Sequence, residues 1–429
     1  MKFESVKTFI LTILVGLSLL LTFGLWTYQP EHELLNDTSY INEVDIGGIE
    51  EAKKDIIEPD HIIFHKDQRY FGYEDPINQQ NLYKDMQSWP LYNFHVSEAN
   101  GAPAHKYQVE VIFPDAIPLD MLHSLFTLDE EEHLPGWSFQ HVYITFDQAS
   151  TSMNIQFLSI DGRKQATAVI DNTDKYNLLW SVMSEPEGLS EYTLFEPADT
   201  PIYLPKNQVE MARRSLGVKT IDPNMLVNAL FSNPSLVSTN IGEAYYTDGQ
   251  RGMSVLKEGR SLEFINPIQS YEPSNPGDLI DSSITNINEH RGWTDEYKLE
   301  AIDRDTNNLC YRMRYEGYPV YNNSGLSIIE QSWRNQELHQ YRRPLISLNN
   351  SLGGDVVNLK SGSNVIHYLE NNAKYEMEKV NDIQVGYHLK YLDNATHSLT
   401  LEPAWYMNYN GHWQEIDMGD QVALYKGGN

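Results

Sequence analysis

Residues Val6 to Trp26 read VKTFILTILVGLSLLLTFGLW, and this run decides how the rest of the chain is organised. No charged residue falls between Phe9 and Trp26. A helix of about 18 residues rises roughly 27 Å, close to the hydrocarbon thickness of a bilayer. The run is therefore expected to be a transmembrane helix. Lys2 and Lys7 precede it, whereas Glu31 to Glu51 carries acidic residues and no Lys or Arg, so the charge bias puts the N-terminus in the cytoplasm. This makes a single-pass protein of the cell membrane whose bulk is extracytoplasmic. Trp26 and Tyr28 suit the headgroup layer, and Pro30 stops the helix. A cleaved export signal is disfavoured by the length of the apolar core and by Phe23 to Tyr28, which lacks a small-x-small pattern.

Within the run, Thr8, Thr12 and Gly16 recur every fourth residue and so share one helix face. Small side chains there allow another helix to approach closely, which marks them as candidate partner-binding residues. The same composition is also ordinary for a single-pass anchor, and the sequence leaves both readings open.

The remaining length, about 400 residues, is more than one ordinary core, and two or three domains are expected. Hydrophobic residues make up 41% of the chain and aromatics 11%, enough to build packed cores rather than a disordered stalk. The formal net charge of −29 repels nucleic acid and anionic lipid, so neither is an expected ligand. Cys310 is the single cysteine; no internal disulfide is possible, and stability rests on burial and hydrogen bonding.

Periodicity then gives an α+β fold with antiparallel sheets. Helices are expected over 78–89, 118–128, 175–183 and 225–231, the last with Asp222 as N-cap and Pro223 as its first residue. Strands are expected over 107–113, 139–146, 153–160 and 165–170, with a turn at Asp161-Gly162. Three hairpins follow: 252–256 with 261–265, 297–303 with 309–321, and 383–392 with 399–409; 365–371 reads as a helix between the last two. Such recurrence suggests repeated hairpin-containing units. The expected layout is a cytoplasmic tip 1–7, an anchor 8–28, a tether 29–42, and α+β domains over 43–186, 187–290 and 291–429.

The opening VKTFILTILVGLSLLLTFGLWTYQP, YYTDGQRGMSVL at 245–256, GLSIIEQSWRNQ from Gly325 and LEPAWYMNYNGHW from Leu401 together resemble the YycH family. Members of that family are membrane-anchored accessory proteins of the WalK/WalR (YycG/YycF) two-component system of low-GC Gram-positive bacteria. The resemblance spans the chain. It implies a three-domain ectodomain whose later part is similar to the companion protein YycI. It also implies a non-catalytic role, acting with YycI, in adjusting the sensor histidine kinase WalK (YycG) that controls cell-wall metabolism, with the anchor helix contacting the kinase's membrane helices. A wall-derived ligand would be a further partner.

Catalytic constellations are nearly absent from the sequence. His61 and His65 flank Ile62-Ile63-Phe64, a strand on which side chains four apart sit too far from each other to share a metal readily. Asp303, Asp305 and Asn307 imitate a calcium loop, but Asn308 and Arg314 stand where glycine and the bidentate Glu are needed. Cys310 lies in an apolar strand and reads as a small hydrophobe. There is no G-x-S-x-G, H-E-x-x-H or phosphate-cradling glycine loop, so no enzyme, metal or cofactor is expected. Trp405, Tyr406, Tyr409 and Trp413 form a possible interaction surface for carbohydrate or protein, with packing of a terminal sheet as the other explanation. The competing function is a membrane-tethered wall hydrolase or glycan-binding protein.

Overall fold

Runs of β-branched and aromatic residues become strands, and Asp-Pro or Asn-Pro pairs start the helices between them. Asp75, Asp222 and Asn275 each accept a hydrogen bond from the backbone N–H two residues on, with Pro76, Pro223 and Pro276 opening the helices Pro76–Gln87, Pro223–Leu230 and Pro276–Asn288. Proline at the first helical position lacks only an N–H that would have had no helical partner, and its ring presets the turn. Without proline, Asn172 caps Thr173–Ser184 by accepting the Asp174 and Lys175 N–H groups, and Ser361 caps Gly362–Glu370 by accepting the Asn364 N–H.

The computed structural model describes Lys7, Leu14, Val15 and Ser18, then residues 44–129, 134–197, 200–234, 237–239, 244–256, 258–391 and 397–419. Residues Val44–Asn429 form one compact unit, separate from Met1–Glu43. No helix among the described residues is long and apolar enough to cross a membrane. Thr8, Thr12 and Gly16 lie outside the described residues.

Among the described residues the compact unit holds two large, mainly antiparallel sheets, so the fold is α+β. The first has ten strands and runs from His61–Lys66 to Ile202–Pro205 in the chain; the second has fourteen and runs from Val209–Thr220 to His412–Glu415. The chain passes from one sheet to the other between Pro205 and Val209. Consequently Leu189–Phe195 and Ile202–Pro205 complete the first sheet, and strands on both sides of residue 290 belong to the second, so sheet membership does not change at 186 or at 290. All three expected hairpins form, and all three lie in the second sheet.

Two expectations need correction. Residues 118–128 are not one helix. They make a 3-10 turn Leu119–Met121, a single α turn Leu122–Leu125, and a strand Thr127–Leu128 that pairs with Pro90 and Leu91. The apolar stripe is buried as its spacing implied, but Phe126 adopts extended backbone and Thr127 donates its hydroxyl to the Gln87 carbonyl, so tertiary pairing overrides the local pattern. Residues 309–321 are likewise two strands, Asn308–Tyr315 and Tyr318–Tyr321. The turn between them places Glu316 and Gly317 at φ of 49° and 78°, the left-handed pair that a two-residue hairpin requires. A Cβ at Gly317 would also stand 2.6 Å from the Pro76 side chain, so this turn packs directly against the start of a helix associated with the first sheet.

Helix Pro276–Asn288 buries Leu279, Ile280, Ser283, Ile284 and Ile287. Its Ser283 hydroxyl donates to Gln331 and accepts from Tyr311, 2.9 and 2.8 Å away, so the helix is joined to two strands of the second sheet by polar as well as apolar contacts. Burial of each large aliphatic or aromatic side chain contributes about 1.5–3 kcal/mol.

Candidate functional site: the cleft between the two sheets

The junction of the sheets carries buried ion pairs. Arg314, on the strand Asn308–Tyr315, reaches Asp60 at the entry to the first sheet. Lys298 donates to Glu58 at 2.8 Å and to the Asp55 carbonyl at 2.7 Å. Asp115 accepts the Ile302 N–H at 2.7 Å, and Arg304 donates to the Ala116 carbonyl and the Ser138 hydroxyl. Charged groups buried this way are costly unless paired, and the pairing fixes how the sheets meet.

Between these contacts the junction leaves a cleft with two compartments. The smaller, about 370 Å³, is lined by Tyr73, Tyr192, Tyr318 and Trp405, with the Lys298 and Arg314 ion pairs on its wall. The larger, about 720 Å³, is lined by Asp382, Tyr321, Tyr406, Asn408 and Trp413 from the second sheet and by Asp115 and Gln140 from the first. Asp60, His61 and Tyr203 border both.

Strand alternation decides which side chains reach the larger compartment. Asp382 pairs across from Asn408, Gln384 from Tyr406, and Trp413 from Asn408, so these residues share one face. Trp405 points the other way, is fully buried, and donates its indole N–H to the Lys360 carbonyl. The four aromatics singled out in the sequence are therefore not one surface. Tyr406 and Trp413 line the larger compartment, Trp405 is a core residue bordering the smaller one, and Tyr409 packs its ring on Tyr375. Tyr406 stacks on Tyr321 with centroids 3.9 Å apart, Trp413 lies 5.4 Å from Tyr321, and Arg312 covers the other side of Tyr321 at 4.2 Å. Arg312 is itself held by Glu300 and the Val320 carbonyl.

Sequence reasoning missed Asp60, Tyr321 and Asp382. A usable signal lay beside them: Asn410-Gly411, with φ of 53° and 82°, is the two-residue turn that folds Trp413 back beside Asn408. The signal for Asp382 was absent, because its importance comes from strands distant in sequence.

Electrostatics separate the carboxylates of the junction. Burial pushes Asp382 up, and Asp60 nearby adds to the effect, to about 7. The hydrogen bond given to Asp382 comes from the Ile383 backbone N–H at 2.8 Å. Burial holds His61 below its usual value, and its Nε2 is buried without a hydrogen-bond partner. Behind the cleft, Glu110 is matched instead: His65 and His141 sit 2.9 and 2.8 Å from its oxygens, and the Tyr143 and Tyr203 hydroxyls donate to it at 3.0 and 2.8 Å. Burial would raise the Glu110 carboxyl, but the hydrogen bonds from the two histidines hold it well below the usual carboxylate range.

Other candidate residues have local structural roles. Asp303 accepts from the Asp305 and Thr306 N–H groups and the Thr306 hydroxyl, closing a turn. Burial pushes the Cys310 thiol well up, and Cys310 lies near Glu300, an environment that disfavours the thiolate. No group of three metal-capable side chains occurs among the described residues.

Residues 4–187 match the family description "YycH protein, N-terminal domain" and residues 199–423 match "YycH protein, C-terminal domain". The chain belongs to the YycH family. A curated YycH relative, the "Two-component system WalR/WalK regulatory protein YycH" of Bacillus subtilis (strain 168), is 25% identical over 438 residues, covering 96% of each chain. The crystal structure of YycH from Bacillus subtilis has a TM-score of 0.74 to this chain at 22% identity, covering 86% of this chain and 98% of that one. That structural likeness establishes a YycH-type fold and leaves function to other arguments.

Proposed function

We propose that this chain is a regulatory accessory protein of a two-component system, and not an enzyme. The observation that carries this is family membership along nearly the whole chain, joined to the curated relative whose name is that of a WalR/WalK regulatory protein. In the proposed arrangement the run from Val6 to Trp26 is a single membrane-spanning anchor, and the compact unit lies on the outer face. The domain divisions near 186 and 290 belong to the same proposal. The anchor contacts the membrane helices of the sensor histidine kinase WalK through Thr8, Thr12 and Gly16, and the extracytoplasmic part contacts YycI. The uncharged length of the run and the charge bias around it support the anchor.

Regulation of this kind requires unequal contact with two kinase states, since a partner that binds both equally shifts nothing. Small side chains at every fourth position make such a contact sensitive to a change in helix separation or rotation. The test is a photoreactive residue at Gly16 in intact membranes, with crosslinked proteins identified without selection. Recovery of a sensor kinase together with a second single-pass protein supports the complex. Recovery of neither removes it. Thr12→Leu and Gly16→Leu are expected to weaken both the crosslink and the kinase response while the melting temperature of the extracytoplasmic unit stays unchanged.

A further inference from the structure

We infer that the larger compartment of the cleft binds an amine-bearing saccharide, with a charged amino group held by Asp382 and a sugar ring stacked on Trp413. The compartment, at about 720 Å³, falls in the size range of small-molecule sites, which concentrate where structural units meet. Its chemistry is specific in three respects.

The first is the aromatic platform. Tyr321 and Tyr406 are buried and stacked, and Arg312 covers Tyr321 from behind, so these rings are rigid. Trp413 joins them from the adjoining strand and remains half-buried. A half-buried indole held by its neighbours gives contact area at small entropic cost, and its flat surface fits the apolar face of a sugar ring.

The second is charge. Asp60, Asp115, Glu300, Asp303, Glu330 and Asp382 line the compartment, against Arg312 as its lining guanidinium. Most of these carboxylates are already engaged: Asp60 by Arg314, Glu300 by Arg312, Asp115 by two backbone N–H groups, and Asp303 by its turn. Asp382 accepts its own neighbour's N–H, and the cation that acts on it among the described residues, Arg314, is already paired with Asp60. An ammonium donor placed there would satisfy the carboxylate and offset the repulsion from Asp60.

The third is hydroxyl chemistry. Asn408 and Gln140 line the same space from opposite sheets; the Gln140 NH2 donates to the Phe113 and Pro114 carbonyls and the Asn408 oxygen accepts from Asn381, so the Gln140 oxygen and the Asn408 NH2 are the groups offered to a ligand. His61 lines the same space with its Nε2 buried away from solvent. A ring bearing several hydroxyls pairs with these amides, whereas a lysine-like chain offers an amine and nothing for them. This inference does not rest on contact with the kinase and is tested without it.

The experiment is calorimetric titration of the full chain in detergent micelles with a glucosamine hexamer, at a pH where its amines are charged. The N-acetylglucosamine hexamer and hexalysine are run alongside at equal ionic strength. The glucosamine hexamer is expected to bind at least about tenfold more tightly than either of the others. Asp382→Asn and Trp413→Ala should each weaken it by about tenfold or more, with an unchanged circular dichroism spectrum, and Glu378→Gln on an exposed carboxylate elsewhere should leave it unchanged. Equal binding of hexalysine would overturn the inference, because the net charge of −29 alone would then explain the affinity. Equal binding of the N-acetylated hexamer would remove Asp382 as the amine partner, and binding of none of the three would remove the site.

Discussion

Glu110 and Asp382 are carboxylates on strands that face one cleft region, and the protein treats them in opposite ways. Glu110 is 1% exposed and receives two tyrosine hydroxyls and two imidazole contacts. Asp382 is half-buried and receives one backbone N–H. The first is held ionised by its partners; the second is pushed toward its neutral form by burial and by Asp60. Burial alone therefore does not decide the charge of a group: the number of donors converging on it does. A carboxylate whose four donors come from three strands is a structural clamp, and one whose coordination is left open is available to a ligand.

The comparison can be broken most severely at Glu110. Glu110→Ala strips the common partner from His65, His141, Tyr143 and Tyr203 and leaves buried polar groups unmatched. The expected loss is about 3–5 kcal/mol, read as a fall in urea midpoint of the full chain in micelles; a change below about 1 kcal/mol would show that the network is not a clamp. The pH dependence has a definite sign. The folded-state pKa of Glu110 is depressed, so its stabilisation is present above the unfolded carboxyl value near pH 4.5 and is lost as pH falls toward the folded value.

A smaller effect of opposite sign is expected at Asp382. With its folded pKa raised to about 7 from 3.8, the native state retains a proton that the unfolded chain has released. Stability therefore declines as pH rises between about 4 and 7. Asp382→Asn should be neutral near pH 4 and stabilising at pH 8 by about 2 kcal/mol, after allowing for solvent screening of a half-buried group. Parallel denaturation curves for the two proteins at every pH would refute this assignment.

The smallest change sharpens the contrast. Tyr203→Phe removes one donor of the Glu110 set and should cost about 1 kcal/mol, with the remaining three partners keeping the carboxylate ionised. Because Tyr203 also borders both compartments of the cleft, saccharide binding measured on the same variant separates the clamp from the groove.

How far the sequence anticipated these regions depended on the range of the interaction. The β-branched and aromatic runs of 139–146 and 153–160 and the Asp222-Pro223 start of a helix are local signals, and the strands and helix are where they indicated. The identical device at Asp75-Pro76 and Asn275-Pro276 was equally readable but passed over, so the helix expected over 78–89 begins and ends two residues early and helix Pro276–Asn288 had no counterpart. The mistaken helix at 118–128 has the right buried residues in the wrong local conformation. A stripe of apolar residues records that a segment is covered, while the partner strand decides its backbone.

Two adjacent aromatics illustrate the boundary. Period-two geometry alone requires Trp405 and Tyr406 to face opposite sides of their strand, so their separation into core and cleft was determined by the sequence once the strand was recognised. The sequence by itself also determined the long uncharged N-terminal run, the acidic surface, the lone cysteine and the order of most strands, since each depends on composition or on neighbours a few residues apart. Only the tertiary structure decided that Glu110 is clamped, that Asp382 stands open, and that Tyr321, Tyr406 and Trp413 converge. Those outcomes depend on groups tens to hundreds of residues apart in the chain, whose distances and solvation exist only after the two sheets have packed.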